Sequence, residues 1–237
     1  MLQKIKRERI PYQIASQIRE LILSGKLLPG QSLPQEKELV AELEVSRQTL
    51  REALRILEAI GLIEVRKGAG GGAVVVKMGS DKLFETISNF LFFRDLSLSH
   101  LGEIRKLTEP YCAKIAAERL SPDQLEKLRA LNRECEDMIT RGEDIVGGRS
   151  EVEFHSILAR STGNPVMMMI EESVSFLLVE IKIELKPDIE FSRKILNSHK
   201  CILKALEERN GSAAAEEMYN HVCEVDEILQ KLEIMRG

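Results

Sequence analysis

The chain has 237 residues, of which 43% are hydrophobic and 30% charged, an ordinary composition for one large or two modest folded domains. No apolar run approaches the roughly 20 residues that a membrane-spanning helix needs. The opening MLQKIKRERI also lacks the apolar stretch of a secretory signal, so the chain reads as cytoplasmic, with no membrane partner. The net charge of −4 is unevenly spread: residues 1–78 hold 13 Lys+Arg against 9 Asp+Glu, and residues 79–237 hold 21 against 29. A basic front on an acidic body suits a front that meets a polyanion, although chance variation explains a difference of this size equally well.

Helical periodicity dominates the front. Ile14, Ile18, Leu21 and Ile22 share one face of a segment that Gly25, Pro29 and Gly30 end. Pro34 opens a second segment over 35–43, and Glu44-Val45 is a tight turn. Ser46 is a good N-cap for a third helix reaching Ile60, with Leu50, Ala53, Leu54 and Leu57 facing inward. Two short β-type runs follow, 62–66 and 73–77, joined by Lys67-Gly68-Ala69-Gly70-Gly71-Gly72, a glycine density that marks a hairpin tip. The expected fold is mainly α: a winged helix-turn-helix over 1–78, of three helices plus a β-hairpin, and an all-α bundle of six or seven helices over 79–237. In the bundle, helices are expected near 81–93, 98–119, 122–141, 143–161, 164–186, 188–209 and 212–236. Pro122, Gly163-Asn164-Pro165, Pro187-Asp188 and Asn210-Gly211 supply the boundaries. Pro110 is expected to kink its helix, and Gly147-Gly148 weakens the one expected over 143–161.

Two short helices joined by a tight turn, the second basic, suit insertion into the major groove of DNA. Arg47, Gln48 and Arg51 lie opposite Leu50 and Leu54 on the third helix. Arg pairs bidentately with guanine, Gln pairs with adenine, and Thr49 reaches a phosphate or a thymine methyl. Any one of these arginines taken singly is more often an ordinary solvated surface charge. The ordered succession of helix, turn, helix and glycine-tipped hairpin is the stronger signal.

The stretch Leu33-Pro34-Gln35-Glu36-Lys37-Glu38-Leu39, then Val45-Ser46-Arg47-Gln48-Thr49-Leu50-Arg51-Glu52-Ala53-Leu54, then Leu57-Glu58-Ala59-Ile60-Gly61-Leu62-Ile63 and Lys67-Gly68 resembles the GntR family of winged-helix regulators. The resemblance implies that Lys37, Arg47, Gln48, Thr49 and Arg51 contact operator DNA, with Lys67 and Gly68 at the wing tip. The family usually has Arg where this chain has Lys37. A phosphate contact survives that change, whereas bidentate base reading does not.

The back half holds all four histidines: His100, His155, His199 and His221. Glu151 and His155 are four residues apart and share a helix face, while His199 and His221 sit in two further expected helices. A carboxylate and three imidazoles converging in a bundle suit zinc first, with nickel, iron and manganese also compatible. Taken singly, a helical histidine is more often a surface or satisfied core residue. Cys201 and Cys223 follow two of the histidines by two residues and so face about 200° away. With Cys112 and Cys135 they form no CxxC pair, and all four are expected to be free thiols. Arg105 is a candidate clamp for a carboxylate, and equally a structural partner of Glu109, four residues on. Asn164, after Gly163, caps a helix or joins an effector pocket.

Residues 83–232 resemble the FCD branch of the same family, typified by fatty-acid and lactate regulators. The segments that carry it are Glu103-Ile104-Arg105-Lys106-Leu107-Thr108-Glu109-Pro110, Ala116-Ala117-Glu118-Arg119, Glu151-Val152-Glu153-Phe154-His155, Thr162-Gly163-Asn164-Pro165, Ser198-His199-Lys200-Cys201-Ile202 and Met218-Tyr219-Asn220-His221. The resemblance implies a divalent metal on Glu151, His155, His199 and His221, where metal-binding members carry Asp and three His. It also implies a small organic-acid effector held near the metal by Arg105, and a homodimeric regulator, more often a repressor than an activator. Two rival functions remain at this level. One is a metal-dependent hydrolase, for which no nucleophile motif or phosphate loop is found. The other is a metal-free regulator whose bundle only dimerises.

Overall fold

A computed structural model of the chain describes residues 10–66, 72–77, 87 and 96–236. The chain divides into two compact units, Met1–Thr86 and Ile87–Gly237. The boundary expected after residue 78 and most of the helix expected over 81–93 lie outside the described residues, as do Lys67 and Gly68.

In the first unit α1 (Ile10–Leu23), α2 (Glu36–Glu42) and α3 (Arg47–Ala59) precede the hairpin of β1 (Ile63–Arg66) and β2 (Gly72–Val75). Ile14 and Ile18 of α1, Leu39 of α2, Leu50, Leu54 and Leu57 of α3, and Ile63 of β1 form one buried cluster. Apolar burial of this kind stabilises by roughly 25 cal/mol per Å². The turn between α2 and α3 passes through Glu44 at φ +50°, a left-handed conformation that bulky residues rarely adopt. The strands pair antiparallel, Ile63 opposite Val75 and Arg66 opposite Gly72. On the other edge of β2, Gly30 N donates to Val75 O and Leu33 N to Ala73 O, both at 2.8 Å. The segment between α1 and α2 thus extends the hairpin and ties the wing to the helices.

The second unit contains six helices among its described residues: α4 (Leu98–Arg119), α5 (Pro122–Thr140), α6 (Arg149–Ser161), α7 (Pro165–Leu185), α8 (Ile189–Glu207) and α9 (Gly211–Arg236). Their starts follow local chemistry. Ser121 Oγ accepts from Gln124 N while Gln124 Oε1 accepts from Ser121 N, a reciprocal cap with Pro122 at the first helical position. Asp188 Oδ1 accepts from Phe191 N at 3.0 Å. One expectation needs correction. The helix expected over 143–161 begins only at Arg149, because Gly142 and Gly147 take positive φ and the chain turns there. Pro110 lies in the interior of α4, past its first turn.

Two of the three apolar clusters within the bundle flank the histidines along their helices, one containing Leu128, Phe154, Ile202, Leu206 and Met218, the other Leu98, Ile145, Ile195, Val225 and Leu229. Along α8, His199 falls between Ile195 of one and Ile202 of the other. Along α9, His221 falls between Met218 and Val225. Helices α4 and α9 approach so closely that a Cβ on Gly102 would lie 2.5 Å from Asp226 Oδ1. That carboxylate is pinned by Lys106 Nζ at 2.6 Å and Gln230 Nε2 at 3.1 Å. Gly102→Ala is therefore expected to destabilise the protein by about 1–3 kcal/mol through overpacking, although alanine is the better helix former by roughly 1 kcal/mol. Urea unfolding measures it, and an unchanged or raised midpoint contradicts the tight contact.

Candidate functional site

The first unit presents a polar surface on α3. Ser46 caps the helix by accepting from Thr49 N at 3.1 Å, which leaves Arg47 and Gln48 exposed at its start. Arg47, Gln48, Arg51, Glu52 and Arg55 border one shallow recess, so the expected reading side chains do share a face. Lys37 of α2 borders a neighbouring recess with Arg47 and Arg66. Arg51 Nε pairs with Glu36 Oε2 at 3.1 Å, with both side chains substantially exposed. Such a pair contributes at most about 1 kcal/mol and yields readily to a phosphate or base. The Thr49 hydroxyl lies 2.7 Å from Ser46 Oγ, so its first role is in the cap. The spacing did not single out Arg55, although it follows Arg51 by one turn on the same face.

The second unit brings its three interior histidines together. His155 of α6, His199 of α8 and His221 of α9 are all buried, and one ring nitrogen of each lies within 4.8 Å of the others. His155 Nε2 and His199 Nε2 are 3.2 Å apart. Phe154 stacks on His199 at 4.1 Å between centroids and fixes its ring plane. His221 Nδ1 has no hydrogen-bond partner. Burial, reinforced by neighbouring positive charge, pushes His199 and His221 well below the usual imidazole range, so both keep free lone pairs at neutral pH. His100 stands apart at the start of α4, where its Nδ1 lies 3.2 Å from Ser97 N.

This donor set fits a divalent metal. Two nitrogens bound to one tetrahedral zinc at about 2.0–2.1 Å stand about 3.3 Å apart, close to the spacing between His155 and His199. A buried nitrogen without a partner is otherwise a cost of roughly 1–3 kcal/mol, which a metal bond removes. Glu151, expected as the fourth ligand, is not brought into the group. Its Oε1 pairs with Lys182 Nζ of α7, both side chains buried, and its Oε2 accepts from Gly147 N at 3.1 Å.

Around the histidines lies a shell of buried charge. Arg105 Nε and Nη2 both donate to Glu109, so the guanidinium expected to clamp an effector engages its own helix. Glu109 Oε2 also lies 2.9 Å from His155 Nδ1, without the alignment of a hydrogen bond. Burial alone would raise the Glu109 carboxyl, but Arg105 and His155 hold it well below the usual range. Glu171 of α7, buried beside Glu109, is pushed up to about 6, chiefly by burial, and accepts from Ser175 Oγ at 2.9 Å. Arg105, Glu151, His155, Glu171 and Lys182 surround a cavity of about 20 Å³, room for about one water. An organic acid therefore enters only if some of these pairs part. Asn164 does not border this cavity. It is exposed, and its Oδ1 caps α7 by accepting from Val166 N at 2.9 Å.

The spacing overlooked Lys182 and Glu171. Both stand on one stripe of α7 with Val174 and Leu178, at helical spacing. A lysine and a glutamate on an otherwise apolar stripe were the available signal. Of the four cysteines, Cys112 and Cys135 are buried, Cys223 is half-buried and Cys201 exposed, and all are free.

These shifts set an acid sensitivity. The unfolded chain takes up protons at His199 and His221 below their ordinary value of 6.5, while the folded metal-free chain does not. Stability conferred by neutral burial is thus lost as pH falls below about 6.5, at up to about 1.4 kcal/mol per unit for each histidine. Glu171 acts oppositely, since its raised folded value favours the folded state only as pH drops below about 6. Urea unfolding in chelator is expected to show a lower midpoint at pH 5.5 than at pH 7.5. A midpoint that rises on acidification contradicts the neutral imidazole pair.

Comparison with known proteins places this geometry. Residues 12–72 match the family of bacterial regulatory proteins, gntR family, and residues 100–223 match the FCD domain. The chain is 33% identical over 230 residues to the uncharacterized HTH-type transcriptional regulator YcbG of Bacillus subtilis, covering 97% of this chain and 94% of that one. It is 29% identical over 214 residues to the HTH-type transcriptional regulator LutR of the same organism, covering 88% and 96%. It is also 29% identical over 216 residues to the galactonate operon transcriptional repressor of Escherichia coli, covering 88% and 90%. Among solved structures, a Streptococcus agalactiae GntR superposes with a TM-score of 0.66 at 31% identity, over 92% of this chain and 99% of that one. The relatives are regulators and not enzymes, and the chain belongs to the GntR family as a DNA-binding transcriptional regulator with an FCD domain.

Proposed function

We propose that the chain is a metal-dependent sensor of a small carboxylate metabolite that controls, as a homodimer, the affinity of its winged helix-turn-helix for operator DNA. The observation that carries this reading is the convergence of three buried imidazoles from three helices, two of them kept neutral. His155, His199 and His221 would hold the ion, zinc first, with nickel, iron and manganese compatible. When bound, such an ion supplies a Lewis-acidic anchor for a carboxylate oxygen. Arg105 supplies the second anchor, because its planar guanidinium exchanges the Glu109 carboxylate for that of the effector in the same bidentate geometry. Repression is the favoured direction, in line with the repressors among the relatives.

Ligand entry moves α4 and α7, because the cavity they border holds about one water. Any such rearrangement that differs between the DNA-competent and DNA-incompetent states links effector to operator, and by reciprocity operator to effector. On DNA, Lys37 meets phosphate and Arg47, Gln48, Thr49 and Arg51 enter the major groove, and Lys67 and Gly68 are further DNA contacts by the family resemblance. Two half-sites of a palindrome take two copies of this unit.

The reading is tested by metal content per protomer in protein purified without chelator or histidine tag. About one ion in the wild type and none in His199→Ala is expected, and equal content in both contradicts it. Arg47→Ala and Arg51→Ala are each expected to weaken operator binding by roughly 1–3 kcal/mol. Titration with the operator checks this, and unchanged affinity removes α3 as the recognition helix.

A further inference from the structure

A buried lysine stands on the cavity that His155 borders. Lys182 is 3% exposed and stands on the inner stripe of α7, one turn beyond Leu178. Its Nζ pairs with Glu151 and lies 5.7 Å from the centre of the Phe191 ring. Among the described residues, Glu151 is its one carboxylate partner. Lys182 borders the same cavity as His155.

A buried ion pair of this kind contributes little to stability, since an apolar pair of similar volume usually serves as well. Its consequence is local. It occupies Glu151, four residues from His155 on the same helix face, and it sets a positive charge on the cavity that His155 borders. Glu109 and Glu171 also stand near His155, close enough to form a second group that could hold an ion, with Glu109 bound by Arg105 and Glu171 accepting from Ser175.

We propose that Lys182 latches the Glu151 carboxylate away from the three histidines, so that an incoming divalent ion meets three imidazoles without Glu151, and that this latch sets the metal affinity of the site. The proposal rests on the three-histidine reading above. It gives the site a weaker hold on the metal than one with four protein ligands, and it leaves more coordination positions for an anionic ligand. It also makes Lys182 a positioning residue that acts through Glu151.

The test uses the full chain and Co²⁺ alone. Affinity is read by competition with a chromophoric chelator, and coordination by the visible d–d bands. Lys182→Met frees Glu151, so Co²⁺ is expected to bind about tenfold or more tighter, in the range by which groups behind the ligands tune metal sites, with altered bands. Lys182→Gln keeps a hydrogen bond to Glu151 without the charge. It is expected to move the same way, and it serves if the methionine variant folds poorly. The double variant Lys182→Met with Glu151→Gln removes both charges and is expected to return to wild-type affinity and bands. If the single variants bind no tighter than the double one, the latch is overturned while the three-histidine site stands. If His199→Ala binds Co²⁺ as well as wild type does, the three-histidine reading itself fails. Binding by Lys182→Met where wild type shows none supports the latch in its strongest form. Absence of binding in every variant overturns both.

Discussion

Burying charge inside a helical bundle is tolerable only when each charge meets an opposite one, because an ion taken out of water without a partner costs several kcal/mol. The second unit is organised around this constraint. Arg105 and Glu109 come from α4, Glu151 and His155 from α6, Glu171 and Lys182 from α7, His199 from α8 and His221 from α9. Apolar packing above and below this layer is strong but non-directional. The ionic and imidazole contacts are directional, so they fix the rotation of each helix relative to its neighbours. A ligand that exchanges one of these partners acts on the helices that carry them, which is the physical requirement for a sensor.

The first unit follows the opposite rule. Arg47, Gln48, Arg51 and Arg55 are exposed, and the pairing of Arg51 with Glu36 is open to solvent. Cations held this loosely remain available for phosphates and base edges, and they lose little on exchanging water or a surface carboxylate for DNA. One chain thus keeps the charges of α3 wet and those of the bundle interior dry.

Much of the fold was legible because it rests on local chemistry. The caps at Ser46, Ser121 and Asp188, the prolines at 122 and 165 and the apolar stripe of α3 act within one or two helical turns, so their effect is readable from spacing alone. The helix over 143–161 was read too long because a periodic pattern can run on through residues that glycines at positive φ, here Gly142 and Gly147, keep out of the helix. The three histidines could be named from the sequence, since the chain holds only four and the FCD resemblance carries these three. Glu151 was grouped with them by its position four residues from His155, which gives a shared face but not a partner. Its partner, Lys182, lies 31 residues away on another helix, and no spacing rule relates the two.

The sequence by itself determined the helix-turn-helix, the helical bundle behind it and the chemical types of the buried polar residues, because propensity, capping and periodicity act over short stretches of chain. Only the tertiary structure decided which carboxylate meets which cation: Glu109 with Arg105, Glu151 with Lys182, and the histidines with one another. Those choices depend on the rotation and spacing of helices packed against each other, where a turn of one helix by a single residue, about 100°, exchanges one buried partner for another.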